Sequence, residues 1–261
     1  MLILSHFSIP METIKLILNR SEITAGTRGA SLGPDAIKAA ARQQQSRFFD
    51  HFEIVDVKDC NELLDQPIKH PFAKRIDGLV TVFERVSSDL EVVFKSKAFP
   101  VVIAADHGSA GGTIAGIAKT FPNARLGVIW IDAHADLHTP YTTPSGNLHG
   151  MPLATALGID NKACQINEVD EETTSKWEQL KSTGIDRAKL LPENLVFIAV
   201  RDTEPDGVQP VDRWARLVAP SVAALAKIGQ QPLDRRQGAA ADRAERAQGL
   251  PAAEDGIVLC G

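Results

Sequence analysis

The stretch IDAHADLHTPYTTPSGNLHG, residues 131 to 150, sets Asp132, His134 and Asp136 at positions i, i+2 and i+4 and follows them with His138, Ser145, Asn147 and His149. In an extended segment such positions project to one side. Carboxylates gathered at a buried strand end repel one another and lose hydration, and a divalent cation relieves both costs. One imidazole among several carboxylates suits a fairly hard ion such as manganese better than the thiolate-rich sites of structural zinc. Taken alone, D-x-H-x-D also suits a solvated turn. The stronger argument for metal is Asp106-His107, which follows another apolar run. Together His107, Asp132, His134 and Asp136 are enough to begin two adjacent ion sites if one carboxylate bridges them. In the SGN loop, Ser145 and Asn147 offer donors to a carboxylate and Gly146 permits close backbone approach, although SGN by itself reads as a turn. His149, just beyond, is of a residue type that suits proton transfer to a leaving amine.

The elements that must position these groups are legible as alternating patterns. FEIVDV (52 to 57), PVVIAA (100 to 105), LGVIWI (126 to 131) and LVFIAV (195 to 200) read as strands of a parallel sheet buried on both faces. Between the first two, Ile76, Leu79, Val80, Phe83, Val86, Leu90, Val93 and Phe94 recur at helical spacing, which predicts a long amphipathic helix. A further helix is predicted after Gly33-Pro34, with Asp35 near its positive end. Asp106-His107, the Asp132 block and Arg201-Asp202-Thr203-Glu204-Pro205 each follow a strand. The carboxyl ends of parallel strands share one edge, so three separate stretches are expected to meet in one crevice.

The whole chain bounds the partners. Its 261 residues, 44% hydrophobic, suit one large α/β domain, and a formal charge of −5 leaves no basic footprint for nucleic acid. The expected partner is therefore a small molecule. Cys60, Cys164 and Cys260 are scattered, with neither zinc spacing nor a disulfide framework, which suits a reducing cytosol. No leader pattern and no long apolar run suggests export or a membrane span, so the expected location is cytoplasmic.

Composition changes after residue 205. Residues 211 to 261 hold twelve alanines, six arginines and one lysine, whereas residues 1 to 200 hold twelve lysines and eight arginines. The expected organisation is a folded unit over 1–205 and an atypical tail over 206–261 without strands of the earlier kind. A polar helical or disordered terminus accounts for the tail; a shift of reading frame accounts for it together with an absent motif described next.

Over roughly residues 20 to 205 the chain resembles the ureohydrolases, arginase in particular. The resemblance rests on GASLGP (29 to 34), Asp106-His107, DAHADLHTPYTTPSGNLHG and RDTEP. It implies a three-layer α/β/α fold with a parallel sheet, two manganese ions, and hydrolysis of L-arginine to L-ornithine and urea by a hydroxide held between the ions. It implies His107 and Asp136 as ligands of one ion, His134 of the other and Asp132 as the bridge. Asp136 and His149 would take part in proton transfer, Ser145 and Asn147 would hold the α-carboxylate, and Glu204 would lie near the α-amino group. It also implies a homo-oligomer, a trimer or hexamer.

The departures are specific. Ala104-Ala105 stand where the family often has a glycine pair, Gly108 replaces a serine, and His138 stands where many arginases carry an asparagine that contacts the substrate carboxylate. The family's later S-x-D-x-D segment, which supplies two more carboxylate ligands, has no counterpart after residue 206. The second ion is left with His134 and Asp132, so the expectation for this chain is two ions in an intact site and one or none otherwise. The competing expectations are a metal-binding arginase-like protein without turnover, or another ureohydrolase such as agmatinase or formimidoylglutamase.

Overall fold

The computed structural model describes residues 3–5, 13–200 and 255–260. Seven strands run β1 (Ile3–Ser5), β2 (Thr13–Asn19), β3 (Glu53–Val57), β4 (Ala98–Ala104), β5 (Arg125–Ile131), β6 (Leu195–Ile198) and β7 (Asp255–Cys260). β2 lies between β3 and β4, parallel to both; β5 lies between β7 and β6, parallel to both, and β1 adds antiparallel to β7. The helices are α1 (Gly33–Gln43), α2 (Phe48–His51), α3 (Ile76–Lys95), α4 (Ala110–Thr120), α5 (Pro152–Leu157) and α6 (Glu171–Ser182). Sheet and flanking helices form the expected three-layer α/β/α arrangement.

The four predicted strands all form, and α3 and α1 begin where periodicity and Gly33-Pro34 place them. Three strands, β1, β2 and β7, lie outside that expectation. β2 was not anticipated, because TIKLILN carries Lys15 and Asn19 within its apolar run; its Leu16, Ile17 and Leu18 are fully buried. The expectation of a tail without strands is corrected by β7, in which the short apolar run GIVLC pairs with β5 from Arg125↔Asp255 to Trp130↔Cys260. The Ala/Arg-rich composition around that run had masked it.

The core is built by α3 against α4 and the sheet. Phe83, Val86 and Leu90 on α3 are buried, and Val82 joins them, whereas Val80 is only partly covered. The α3–α4 contact is backbone-close: a Cβ on Gly116 would sit 2.9 Å from Leu90 Cβ and Ser87 Cα, so a larger residue would force the helices apart. No helix among the described residues is long and apolar enough to cross a membrane. The packing leaves the carboxyl ends of β2, β4 and β5 on one edge, where Ala105 N–H donates to Asn19 O (2.8 Å) and Asp132 N–H to Ile198 O (3.1 Å), extending the ladders to the site.

Candidate functional site

His107 enters from the end of β4 and is fixed by its ring lying stacked on Trp130 of β5, centroids 4.6 Å apart at 20°. Its Nδ1 is 2.9 Å from Asp132 Oδ2 and 3.0 Å from Asp136 Oδ2. Ligand atoms of these three residues lie within 4.8 Å of one another. Burial disfavours the charged imidazole, but Asp136 together with Asp132 and Asp106 outweighs it and raises the pKa of His107 above its ordinary range. Asp136 is buried, and its Oδ2 faces the His107 nitrogen without an aligned hydrogen bond. A buried carboxylate oxygen beside an imidazole nitrogen and a second carboxylate could hold a divalent cation. These three residues therefore fit one ion.

The local backbone differs from the extended reading of DAHAD. β5 ends at Ile131, and Asp136 adopts φ 49°, a left-handed conformation that aspartate tolerates better than most residues. The turn brings Asp132 and Asp136 together but sends His134 outward, its side chain 62% exposed and its Nδ1 3.4 Å from Asp132 Oδ1. The expectation that all three project to one side is thus corrected. The Asp136 carbonyl accepts from Leu153 N–H at the start of α5 (3.2 Å), which anchors the turn.

The SGN loop forms the next wall. Gly146, at φ 74°, is moulded against Pro71 and Phe72, and its carbonyl accepts from Lys74 N–H at 2.8 Å. Any Cβ there would collide with the Pro71 carbonyl oxygen. Ser145 is exposed, with its Oγ accepting from Asn147 N–H (3.2 Å), and Asn147 is half-buried. His149 turns its Nδ1 to within 3.3 Å of Thr24 O, beside the same crevice. His138 is half-buried, and its N–H donates to Gly150 O (3.0 Å). Glu204 lies outside the described residues.

Residues without a motif complete the crevice. Asp106 Oδ2 accepts from Thr24 N–H (2.9 Å); burial raises its carboxyl's pKa, only partly offset by that bond. Glu22 is buried and accepts from Gly29 (2.9 Å) and Ser31 (2.7 Å) N–H groups, closing the loop that carries Thr24 and Gly26. Burial pushes its carboxyl up, but these bonds and Arg28 hold it below its ordinary value. Sequence reading passed over Glu22 and Thr24; the signal available was their place directly after an unrecognised strand, β2.

Comparison with known proteins gives the family and the fold. The sequence profile of the arginase family matches residues 12–243. The arginase of Bacillus subtilis (strain 168) is 33% identical over 193 residues, 74% of this chain and 59% of that protein. The arginase of Brevibacillus brevis is 34% identical over 191 residues, 70% and 55% respectively. The chain thus spans less than two thirds of the length of these relatives. The crystal structure of Bacillus subtilis arginase superposes with a TM-score of 0.61 at 30% identity, covering 84% of this chain and 66% of that one. Entamoeba histolytica arginase, solved with L-ornithine, gives 0.65 at 21% identity over 84% and 68%, a likeness of fold.

Proposed function

Because this chain belongs to the arginase family, we propose that it hydrolyses L-arginine to L-ornithine and urea with manganese bound in the crevice. The observation that supports this reading most is the approach of His107, Asp132 and Asp136 ligand atoms to within 4.8 Å of one another, with the Asp136 carboxylate buried. These three residues would hold one ion, and Asp132 with His134 would begin a second. A guanidinium is resonance-stabilised and a poor electrophile; when bound, divalent ions supply Lewis acidity and lower the pKa of water toward neutrality.

The chain's own residues do the rest. Ser145 and Asn147, with His138, would donate to the α-carboxylate and Glu204, outside the described residues, would take the α-amino group, so the substrate's side chain is left to extend toward Asp136. Asp136 accepts a proton at its carboxylate as the guanidinium carbon becomes tetrahedral. His149 delivers a proton to the departing ornithine amine, its ring oriented by the Thr24 carbonyl. We place the protein in the cytoplasm as a homo-oligomer, a trimer or hexamer.

Urea release by the purified chain with manganese, compared between arginine and agmatine, tests the reading. Turnover of arginine with two manganese per chain supports it. A second reading, a metal-binding member without turnover, is favoured by the absence of S-x-D-x-D after residue 206 and predicts one ion or none with no urea. Turnover of agmatine or of a formimidoyl substrate instead would make it another ureohydrolase.

A further inference from the structure

Arg75 stands at the entrance to α3 in a left-handed conformation, φ 63°, which burdens any residue bearing a Cβ. Strain of this kind is retained where the surrounding structure and function require it. Lys74, the residue before it, is bonded to the SGN loop through Gly146 O, so the strained turn sits directly on that loop.

The side chain is aimed as well. Arg75 Nε donates to Leu63 O (3.1 Å), which turns the rest of the guanidinium toward Gly26. Its Nη1 is 3.5 Å from the point that a Cβ on Gly26 would occupy, and Asn147 Oδ1 is 3.6 Å from the same point. The guanidinium and the loop amide therefore flank one space, kept open because residue 26 is glycine. Arg20, Arg28 and Arg47 each have a carboxylate within 4.0 Å, whereas Arg75, like Arg42, Arg85 and Arg187, has none among the described residues. A half-buried guanidinium beside the Asn147 amide, with no acidic partner among the described residues, suits a carboxylate.

We propose that Arg75 is a specificity-determining residue that binds the substrate carboxylate together with Asn147 and Ser145, selecting an amino acid over its decarboxylated amine. This rests on the reading of the crevice as an arginine site. A charged fork adds to the neutral donors of the loop an attraction that a carboxylate-free amine cannot use.

The test is calorimetric binding of L-ornithine and of putrescine to the manganese-loaded full chain, for wild type, Arg75→Gly and Arg75→Lys. Glycine suits the positive φ, so Arg75→Gly removes the guanidinium without straining the turn. The expected result is a wild-type preference for L-ornithine that falls tenfold or more in Arg75→Gly, with putrescine affinity and melting temperature maintained and partial recovery in Arg75→Lys. Undiminished L-ornithine binding by Arg75→Gly, equal weakening of both ligands, or a wild type without preference overturns the assignment. Urea release is measured on the same samples: its absence beside an intact, Arg75-dependent preference counts against hydrolysis alone, and its presence with an unaltered Arg75→Gly counts against Arg75 alone.

Discussion

Two acidic clusters in this molecule are built on opposite plans. Asp160 brings its own partners: Oδ1 accepts from Trp177 Nε1 at 3.0 Å and Lys181 Nζ at 2.6 Å, and its backbone carbonyl accepts from Thr139 Oγ1 at 2.7 Å. Burial raises its carboxyl, but Lys181 and Trp177 more than compensate, and its pKa lies below the ordinary value. At the strand ends, by contrast, two carboxylates share one imidazole, that of His107, and the buried Asp136 Oδ2 makes no aligned hydrogen bond. The first cluster closes on itself and belongs to the fold. The second is short of positive charge and donors, which marks it as a place for something brought from solution.

The sharpest separation of the two is mutational. Asp136→Asn should lower urea release on the order of 10³-fold or more while the chain still unfolds cooperatively, because it takes a charged oxygen from the proposed ion site and leaves an amide of the same shape facing His107. Asp160→Ala should do the reverse. It strands the buried Trp177 N–H and leaves Lys181 with Glu178 alone, costing about 1–3 kcal/mol in denaturant unfolding, with manganese binding retained. The wild-type form of this cluster also titrates: a carboxyl whose folded pKa is depressed contributes stability above its unfolded value near 4 and loses it as pH falls through the lower folded value.

Metal addition comes next in size. At a hundredfold excess over its dissociation constant, manganese should stabilise the wild type by about 2.7 kcal/mol and Asp136→Asn by much less, as read from shifts in thermal unfolding.

The smallest effect concerns a cation without a carboxylate. Lys189 is buried, its ammonium donating to the Lys181 carbonyl, and burial lowers its pKa to about 8, with Lys181 adding to the shift and Asp186 opposing it. The unfolded chain then holds more protons than the folded one between that value and the ordinary 10.5, so stability rises with pH across that window. Lys189→Met should stabilise the protein at pH 7 by about 1–2 kcal/mol and flatten that rise, measured as urea midpoints at pH 7 and pH 10.

Much of this architecture was legible before any coordinates. β4, β5 and β6 are uninterrupted apolar runs, and α3 repeats apolar residues from Ile76 to Phe94, so local pattern and tertiary burial agree. Where one lysine or a biased neighbourhood broke the pattern, as in β2 and β7, the strand was hidden because its pairing partner, not its composition, makes it a strand. His107, Asp132 and Asp136 could be anticipated because strand ends of a parallel sheet meet. The left-handed turn at Asp136, which separates His134 from them, could not be anticipated from a period-two reading. Glu22 and Arg75 were invisible for a different reason: neither sits in a motif, and only the packing of the 22–31 and 70–75 segments on the SGN loop gives them a place.

Crystals grown with excess manganese, measured at a wavelength where that ion scatters anomalously, address the central claim most directly. The account predicts an anomalous peak bonded to His107, Asp132 and Asp136, absent from Asp136→Asn. Side chains spread apart around solvent, with no peak between them, would contradict it.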